Sequence, residues 1–332
     1  MRIRFLLCAL ACLLPGIQAK GQGKRKPFTV VALPDTQCYA DTRLKQSAHI
    51  WKNGDLRAYF FKQTEWARDQ SSKLNISFLV HEGDIVQTDY PEEWEIAKDA
   101  MSRLDGIVPY CLCLGNHDMG FRKTDKDAYS FTTAENRSTH FNEYFPREKY
   151  SGRPEFGGTY QEKSHNNSWY HFESDGLKFM VLSLECKPRD EVLTWANGIV
   201  KARPEYRVIV LTHSYLNADR SRTTKGLKMP GNLGEQMWQK FVRKHQNIFM
   251  VLCGHVLGEA LLISKGDHGN QVFQILSDYQ GMHNGGESWL RYMIFRPAEN
   301  KIEVFTYNPA LDQYSNGPSS RFDLDYSLSP AQ

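Results

Sequence analysis

The sequence predicts an α/β protein in which helices flank β-sheet. From residue 28 onward, short apolar runs typical of strands alternate with amphipathic segments typical of helices. The last part of the domain, up to about residue 309, contains strand-like runs only. Alternation of this kind places helices against sheet faces, because each element must bury its apolar side. No repeat or linker divides residues 28–310, so we predict a single domain there.

The first half supplies three strand-like runs that alternate with helix-like segments. Pro91 suits the first turn of a helix, and the two glutamates after it suit the positive end of the helix dipole. The predicted elements are strands over 28–35, 76–84 and 108–118 and helices over 55–70, 91–105 and 139–145.

The second half starts with a predicted hairpin. Asp175-Gly176 stands between two strand-like runs, and this dipeptide is typical of a two-residue β-turn. From Leu311 onward the chain is polar and rich in serine, which predicts a loosely held tail over 311–332. The predicted elements are strands over 167–174, 176–185 and 206–214, helices over 190–201 and 232–246, a strand from 248 to Gly254, and strands only from there to 309.

The N-terminus has the pattern of a secretory signal peptide. Two arginines precede an apolar run over residues 5–14, and Ala19 offers a small residue near a cleavage point. We therefore predict a signal peptide over 1–19 and an exported protein, periplasmic or extracellular. The run is too short to cross a bilayer, and no other stretch reaches about 20 apolar residues, so no transmembrane segment is expected. Lipoprotein anchoring at Cys12 is not expected, because Ala9 stands where a larger aliphatic residue belongs.

Composition and charge narrow the class of protein. A content of 41% hydrophobic and 24% charged residues predicts an ordered core. Loss of two arginines with the signal peptide lowers the formal charge from +3 to +1, and the basic residues 20–27 are more simply a solvated linker than a nucleic-acid arm. Five cysteines remain, an odd number that excludes a scaffold built on disulfides, and Cys111 and Cys113 alternate along a strand as core residues do.

Five strand-like runs end in residues of the kinds that bind metal ions. In an open α/β sheet, ligands bind beyond the carboxyl ends of the strands. Any one of these residues alone would more simply be a turn residue, a helix cap or a core histidine. The same placement five times in order predicts one shared site, formed by Asp35 in LPDTQ, Asp84 in EGDIV, Asn116-His117-Asp118 in LGNHD, His213 in LTHS and His255 in CGHVLG.

The series DTQ, GDIV, GNHD, TH and GH resembles the calcineurin-like metallophosphoesterase superfamily, in a secreted branch with a DTQ first motif. The motifs run from residue 35 to 255, and the catalytic domain of the family would cover 28–310. The resemblance implies a four-layer α/β/β/α sandwich with two mixed β-sheets. It also implies hydrolysis of phosphomonoesters or phosphodiesters with the help of divalent metal ions.

The resemblance further implies a pair of metal positions. Asp84 would bridge two ions, because a carboxylate has two oxygens. Asp35 would bind at the first metal position. The second metal position would be completed by Asn116, His213 and His255.

The resemblance gives the remaining motif residues a catalytic role. A water between the metal ions would attack phosphorus in line. His117 would protonate the departing alkoxide or orient the phosphate, and Asp118 would hold the imidazole of His117.

Two residues depart from the family pattern, which usually has D-x-H at the first motif and G-H-x-H at the last. Those places hold Gln37, which offers a neutral amide oxygen, and Leu257, which cannot coordinate a metal ion. The second metal position keeps imidazoles and suits a firmly held Mn, Fe or Zn ion. The first metal position is left with an all-oxygen set, which suits a weaker Mg, Ca or Mn ion.

The substrate is less defined by the sequence. Tyr215, close after one ligand, and His283 and Asn284, in the loop 279–289, are candidate substrate-binding residues, although the loop equally fits a flexible hairpin connection. We expect a small-molecule, lipid or nucleotide phosphoester and no specific nucleic-acid binding. The alternative is a non-catalytic protein on the same fold that binds metal or phosphate.

Overall fold

The computed structural model describes residues 25–41, 46–47, 50–51, 54–119, 121–124, 127–131 and 140–328. The predicted signal peptide over 1–19, including Cys12, lies outside these residues. Within them, no helix is both long enough and apolar enough to cross a membrane.

The first sheet is mixed. Its strand order is β17-β16-β15-β1-β4-β5, with β18 also paired to β16. β1, β4 and β5 run parallel, whereas β15 is antiparallel to β1. The strands are β1 (Phe28–Leu33), β4 (Ile76–His81), β5 (Tyr110–Leu112), β15 (Leu290–Arg296), β16 (Lys301–Asn308), β17 (Gln313–Ser315) and β18 (Phe322–Asp325).

The second sheet is also mixed, in the order β13-β14-β12-β11-β10-β9-β8. Its centre is parallel from β10 through β11 and β12 to β14. The strands are β8 (Phe156–Thr159), β9 (Ser168–Ser174), β10 (Leu177–Ser183), β11 (Arg207–Leu211), β12 (Ile248–Cys253), β13 (Gly258–Lys265) and β14 (Gln271–Asp278). Two short hairpins are formed by β2 (Gln46–Ser47) with β3 (Ile50–Trp51), and by β6 (Phe121–Thr124) with β7 (Asp127–Phe131).

The helices are shorter than predicted at several ends. The helix predicted over 232–246 stops at Lys240, because Phe241 has non-helical backbone angles, and a single 3-10 turn follows. The helices are α1 (Gln37–Ala40), α2 (Arg57–Gln70), α3 (Pro91–Ser102), α4 (Phe141–Tyr144), α5 (Arg147–Ser151), α6 (Asp190–Lys201) and α7 (Gly234–Lys240).

The two sheets pack face to face through aromatic side chains. The rings of Phe28 and Phe179 lie 5.2 Å apart, and those of Phe78 and Phe172 lie 5.4 Å apart. Each fully buried phenylalanine contributes about 2 kcal/mol through removal of apolar surface from water. These contacts join one sheet to the other in a single inner core.

Helices cover the outer face of each sheet. Along β11, Ile209 belongs to the inner core, whereas Val208 and Val210 belong to an outer cluster with side chains of α6 and α7. This alternation follows from the period of two residues in a strand. On the other side, α2 and α3 bury Phe60 and Trp94 against the first sheet. The predicted four-layer α/β/β/α sandwich with two mixed sheets is confirmed.

The predicted hairpin is confirmed, whereas the predicted loose tail is wrong. Asp175 and Gly176 have φ angles of 52° and 73° and join antiparallel β9 and β10. After Leu311 the chain adds β17 and β18 to the first sheet, and Leu324 is buried in the inner core. Leu328 is buried in the same core, and Phe322 and Tyr326 pack against it.

Candidate metal centre

The predicted ligands meet at one edge of the sandwich. Asp35, Asp84 and Asn116 follow β1, β4 and β5 of the first sheet, while His213 and His255 follow β11 and β12 of the second. Because the strands within each group are parallel, their carboxyl ends lie at the same edge.

Three of these side chains are close enough to hold one cation. Metal-binding atoms of Asp84, His213 and His255 all lie within 4.8 Å of one another. His213 Nε2 lies 3.2 Å from Asp84 Oδ1 and 3.2 Å from the side-chain oxygen of Asn116. These four residues are the set predicted for the second metal position.

The orientation of the His213 ring makes this cluster a good fit for a metal ion. His213 Nδ1 lies 3.0 Å from the carbonyl oxygen of Glu82, which can only accept a hydrogen bond, so Nδ1 carries a proton. Burial would lower the pKa of His213, but the charge of Asp84 outweighs it and raises the pKa, which favours a proton on Nε2 between the oxygens of Asp84 and Asn116. A divalent cation can take the place of that proton, and a backbone carbonyl on the other ring nitrogen is the usual partner of a metal-bound histidine.

The His255 ring is suited to bind metal in its neutral form. Burial, followed by the charge of His213, lowers the pKa of His255 to about 3. The two imidazole rings lie 5.0 Å apart. The backbone N–H of His255 donates to Asp35 Oδ1 at 3.1 Å, which ties the second sheet to the first.

Asp84 stands between the two sides of the site. Burial would raise the pKa of Asp84, but the imidazoles of His213 and His117 outweigh it and hold the pKa below its usual range. One oxygen faces His213, and Gln37 Nε2 lies 3.2 Å from the other. Asp35 Oδ1 is 3.9 Å from His213 Nε2. The arrangement suits a bridging carboxylate with Asp35 and Gln37 beside it.

His117 points toward the cluster, but Asp118 does not hold its ring. His117 Nδ1 lies 2.8 Å from the carbonyl oxygen of Gln87, and Nε2 lies 3.9 Å from Asp84 Oδ2.

The carboxylate of Asp118 instead accepts three backbone N–H groups, at 2.8 to 3.0 Å, from Gly115, Ile85 and Val86. The predicted contact between Asp118 and the His117 ring is therefore wrong. The Asp118 carboxylate thus links the loop after β5, which contains Gly115, to the loop after β4, which contains Ile85 and Val86.

The three candidate substrate residues are not brought together. Tyr215 is fully buried in the outer cluster beneath the second sheet, so its predicted contact with substrate is wrong. His283 and Asn284 both contact Glu287 within their loop. The loop is tied to the site side of the molecule, because Ser288 N–H donates to Tyr39 Oη at 3.0 Å.

Two residues at the site were missed from the sequence. Asp278 ends β14, and Gln280 follows it; Gln280 Nε2 lies 3.0 Å from Asp278 Oδ2 and 3.5 Å from Asp35 Oδ1. The signal was available, since the run QVFQILSD is one more strand that ends in a carboxylate.

A cavity of about 400 Å³ opens beside Asp278. Its other lining side chains include Leu257, Met282, Tyr279 and Trp289, so most of its wall is apolar. Leu257 is about half exposed there and packs against Gly281. The residue that replaces a family histidine thus lines a cavity at the first metal position.

A comparison with protein families agrees with this geometry. The model for calcineurin-like phosphoesterases matches residues 29–259, which hold every motif that builds the centre. The chain belongs to the calcineurin-like phosphoesterase family. Membership implies divalent metal ions and supports a phosphoric ester hydrolase. The secreted branch with a DTQ first motif remains a prediction.

The chain is also similar to a curated protein of much greater length. The uncharacterized protein YvnB of Bacillus subtilis (strain 168) is 29% identical over 317 residues, which are 91% of this chain. The chain spans only 22% of the length of that relative.

The chain is similar to a solved structure with a related fold. Purple acid phosphatase PPD1 from yellow lupin (Lupinus luteus) seeds superposes with a TM-score of 0.53 at 10% identity, over 92% of this chain and 55% of that one. The NAD nucleotidase NadN of Haemophilus influenzae gives a TM-score of 0.45 at 14% identity, over 88% of this chain and 49% of that one.

Proposed function

We propose that this family member is an exported, metal-dependent hydrolase of small-molecule phosphoric esters. The observation that carries the proposal is the His213 ring, whose Nε2 faces the oxygens of Asp84 and Asn116 at 3.2 Å. A buried ring nitrogen between two acceptor oxygens holds either a proton or a metal ion, and the family uses a metal ion at such a position for phosphoester chemistry.

The donor types support two unequal metal positions. Asp84, Asn116, His213 and His255 give a mixed nitrogen and oxygen set that suits a firmly held Mn, Fe or Zn ion. Of the predicted ligands, Asp35, Asp84 and Gln37 would form the first metal position. They offer oxygen atoms alone, and such a set suits a weaker Mg, Ca or Mn ion.

His117 is placed to act as the general acid. A bound divalent ion supplies an activated water and offsets charge on the phosphoryl oxygens. The Gln87 carbonyl accepts a hydrogen bond from Nδ1–H of His117, so Nε2 is the nitrogen that can exchange a proton with substrate. The distance of 3.9 Å from Nε2 to Asp84 Oδ2 supports this role, because a proton on Nε2 would then be near a substrate phosphate bound at the cluster.

Hydrolysis of p-nitrophenyl phosphate and bis-p-nitrophenyl phosphate with added Mn²⁺ tests this proposal. We expect turnover of at least one ester, and we expect His117→Ala to lower kcat by roughly 10²- to 10⁴-fold, the usual worth of a general acid. His268→Ala is a matched control, because His268 is exposed in the turn between β13 and β14, away from the site.

The outcomes separate the hydrolase from the role of His117. Equal turnover by wild type and His117→Ala would contradict the role of His117 as general acid, but not the hydrolase. Absence of turnover with Mn²⁺, Zn²⁺, Fe²⁺ or Mg²⁺, together with tight metal binding, would favour the non-catalytic binding protein.

Export is tested separately by N-terminal sequencing of secreted protein. A start at Lys20 is expected, and an intact Met1 would contradict the signal peptide.

The cavity beside Asp278 supports a substrate with an apolar organic group. Leu257, Met282 and Trp289 offer apolar surface within the reach of an ester whose phosphate lies at the metal centre. The same wall also carries Glu259, Thr306 and Ser315, so the cavity suits an organic group that combines an apolar part with polar atoms.

A further inference from the structure

We propose that Asp278 is a ligand of the first metal position, which it completes as an all-oxygen set for Mg²⁺, Ca²⁺ or Mn²⁺ together with Asp35, Asp84 and Gln37. This inference rests on the proposed function, because it concerns the same centre. The family usually has histidines at the places of Gln37 and Leu257. Asp278, which belongs to none of the motifs, would supply a metal-binding side chain in their stead.

The first step is the position of Asp278 in the sheet. β14 is parallel to β12, and Cys253 pairs with Leu276 in their register. Asp278 and His255 therefore both stand two residues beyond this pair, at the same edge. Strand topology brings Asp278 to the site by the same rule that brings the five motif residues.

The second step is a set of close contacts between Asp278 and the first metal position. Gln280 Nε2 lies 3.0 Å from Asp278 Oδ2 and 3.5 Å from Asp35 Oδ1. The side-chain oxygen of Gln280 contacts Gln37 Nε2, which in turn lies 3.2 Å from Asp84. The Gln280 amide thus links Asp278 to Asp35, and the Gln37 amide links Gln280 to Asp84.

The third step is the charge inside this volume. Asp35, Asp84 and Asp278 are all at most 2% exposed, and the charged side chains that face them include the buried Glu82. Buried carboxylates that lie near one another repel, and a bound cation is the usual means of keeping them together.

The fourth step is an independent observation on Gln37. Its side chain is fully buried, and among the residues that the structure describes its Oε1 has no hydrogen-bond partner. Nε2 of the same amide group donates to Asp84 and to Gln280, so Oε1 is bonded to the same carbon as the nitrogen that faces Asp84. A buried carbonyl oxygen without a donor is the kind of atom that a hard cation satisfies.

Calorimetric titration of metal-stripped protein with Mn²⁺ tests this assignment. In wild type we expect one tight and one weaker ion. Asp278→Asn keeps the shape and removes the charge, so it should weaken the weaker ion by roughly tenfold or more and change the tight one by less than about twofold. Asp267→Asn is the control, because Asp267 pairs with Arg243 in the turn at the opposite end of β14.

A second measurement shows that the variant folds. Loss of one buried charge should raise the melting temperature of the stripped Asp278→Asn protein above that of stripped wild type. Gln37→Met should weaken the same ion, because it removes the amide oxygen at nearly constant volume.

The outcomes separate this inference from the proposed function. Equal Mn²⁺ binding by wild type and Asp278→Asn would overturn the assignment of Asp278 alone. Equal weakening of both ions would also overturn it, since the residue would then act on the whole site. A wild type that binds no tight ion would overturn the proposed function itself.

Discussion

Asp84 and His255 hold backbone conformations that residues other than glycine rarely adopt. Their φ angles are 48° and 71°. Each costs on the order of 1–2 kcal/mol, and such residues cluster at functional sites. Each lies in the loop that follows a strand, and their metal-binding atoms are within 4.8 Å of each other. The strained backbone therefore coincides with the candidate metal centre.

The glycines before His255 and Asn116 let another strand's loop pass close to their backbone. A Cβ on Gly254 would clash with Asp35 Oδ2, and one on Gly115 would clash with the backbone and carboxylate of Asp84. Glycine is thus needed at both positions, because Asp35 fills the space beside Gly254 and Asp84 fills the space beside Gly115.

Gly254→Ala should disturb metal binding more than folding. The methyl group would displace the Asp35 carboxylate, so we expect weaker binding of Mn²⁺ at the first metal position, by about tenfold, and a fall in kcat. Calorimetry and the p-nitrophenyl phosphate assay measure these effects.

Gly198→Ala is the matched control. Gly198 is exposed in α6, where an added Cβ meets nothing, and the change should stabilise the helix by about 0.5–1 kcal/mol. Unchanged Mn²⁺ affinity in Gly254→Ala would show that Asp35 is not packed against this glycine.

The residue types at strand ends could be predicted, whereas side-chain directions could not. Asp118 was expected beside His117 because they are neighbours in GNHD, but the turn sends its carboxylate to backbone N–H groups. Tyr215 follows His213 closely, yet it enters the core beneath the sheet. In both cases the direction depends on backbone angles beyond the strand, which no residue pattern specifies.

At the scale of elements, the last strand shows how a polar sequence can belong to the fold. β18 is four residues long and pairs with β16. Leu324 faces the inner core, while its neighbours Asp323 and Asp325 are exposed. The pattern was too short to be distinguished from a tail, because its partner is fixed by contacts distant in sequence.

Leu324→Ala should lower the free energy of unfolding by about 2–5 kcal/mol, the usual loss for a buried leucine. Urea denaturation of the stripped protein measures it. Asp325→Ala, at the exposed next position, should change stability by less than about 0.5 kcal/mol. A similarly small effect of Leu324→Ala would mean that β18 is not part of the core in solution.

Asp278 was missed for a reason of the same kind. The apolar run that ends in Asp278 predicts a strand, but the sequence does not indicate that this strand pairs in parallel with β12. Without that pairing, a terminal aspartate is only the first residue of a turn.

At the scale of the molecule, the centre lies where the two sheets meet. The first sheet supplies Asp35, Asp84 and Asn116, and the second supplies His213 and His255. The alternation of strands and helices predicted one class of fold, and the motif resemblance supplied its four layers. Pairing order within each sheet came only from the structure.

The central claim is that the two sheets bind a firmly held metal ion between them, with a weaker one beside it. A crystal structure of the protein soaked in Mn²⁺, with anomalous scattering to locate the ions, tests this most directly. We predict a strong peak among Asp84, Asn116, His213 and His255 and a weaker peak toward Asp35. Absence of any peak among these residues, with Mn²⁺ bound elsewhere, would contradict the account.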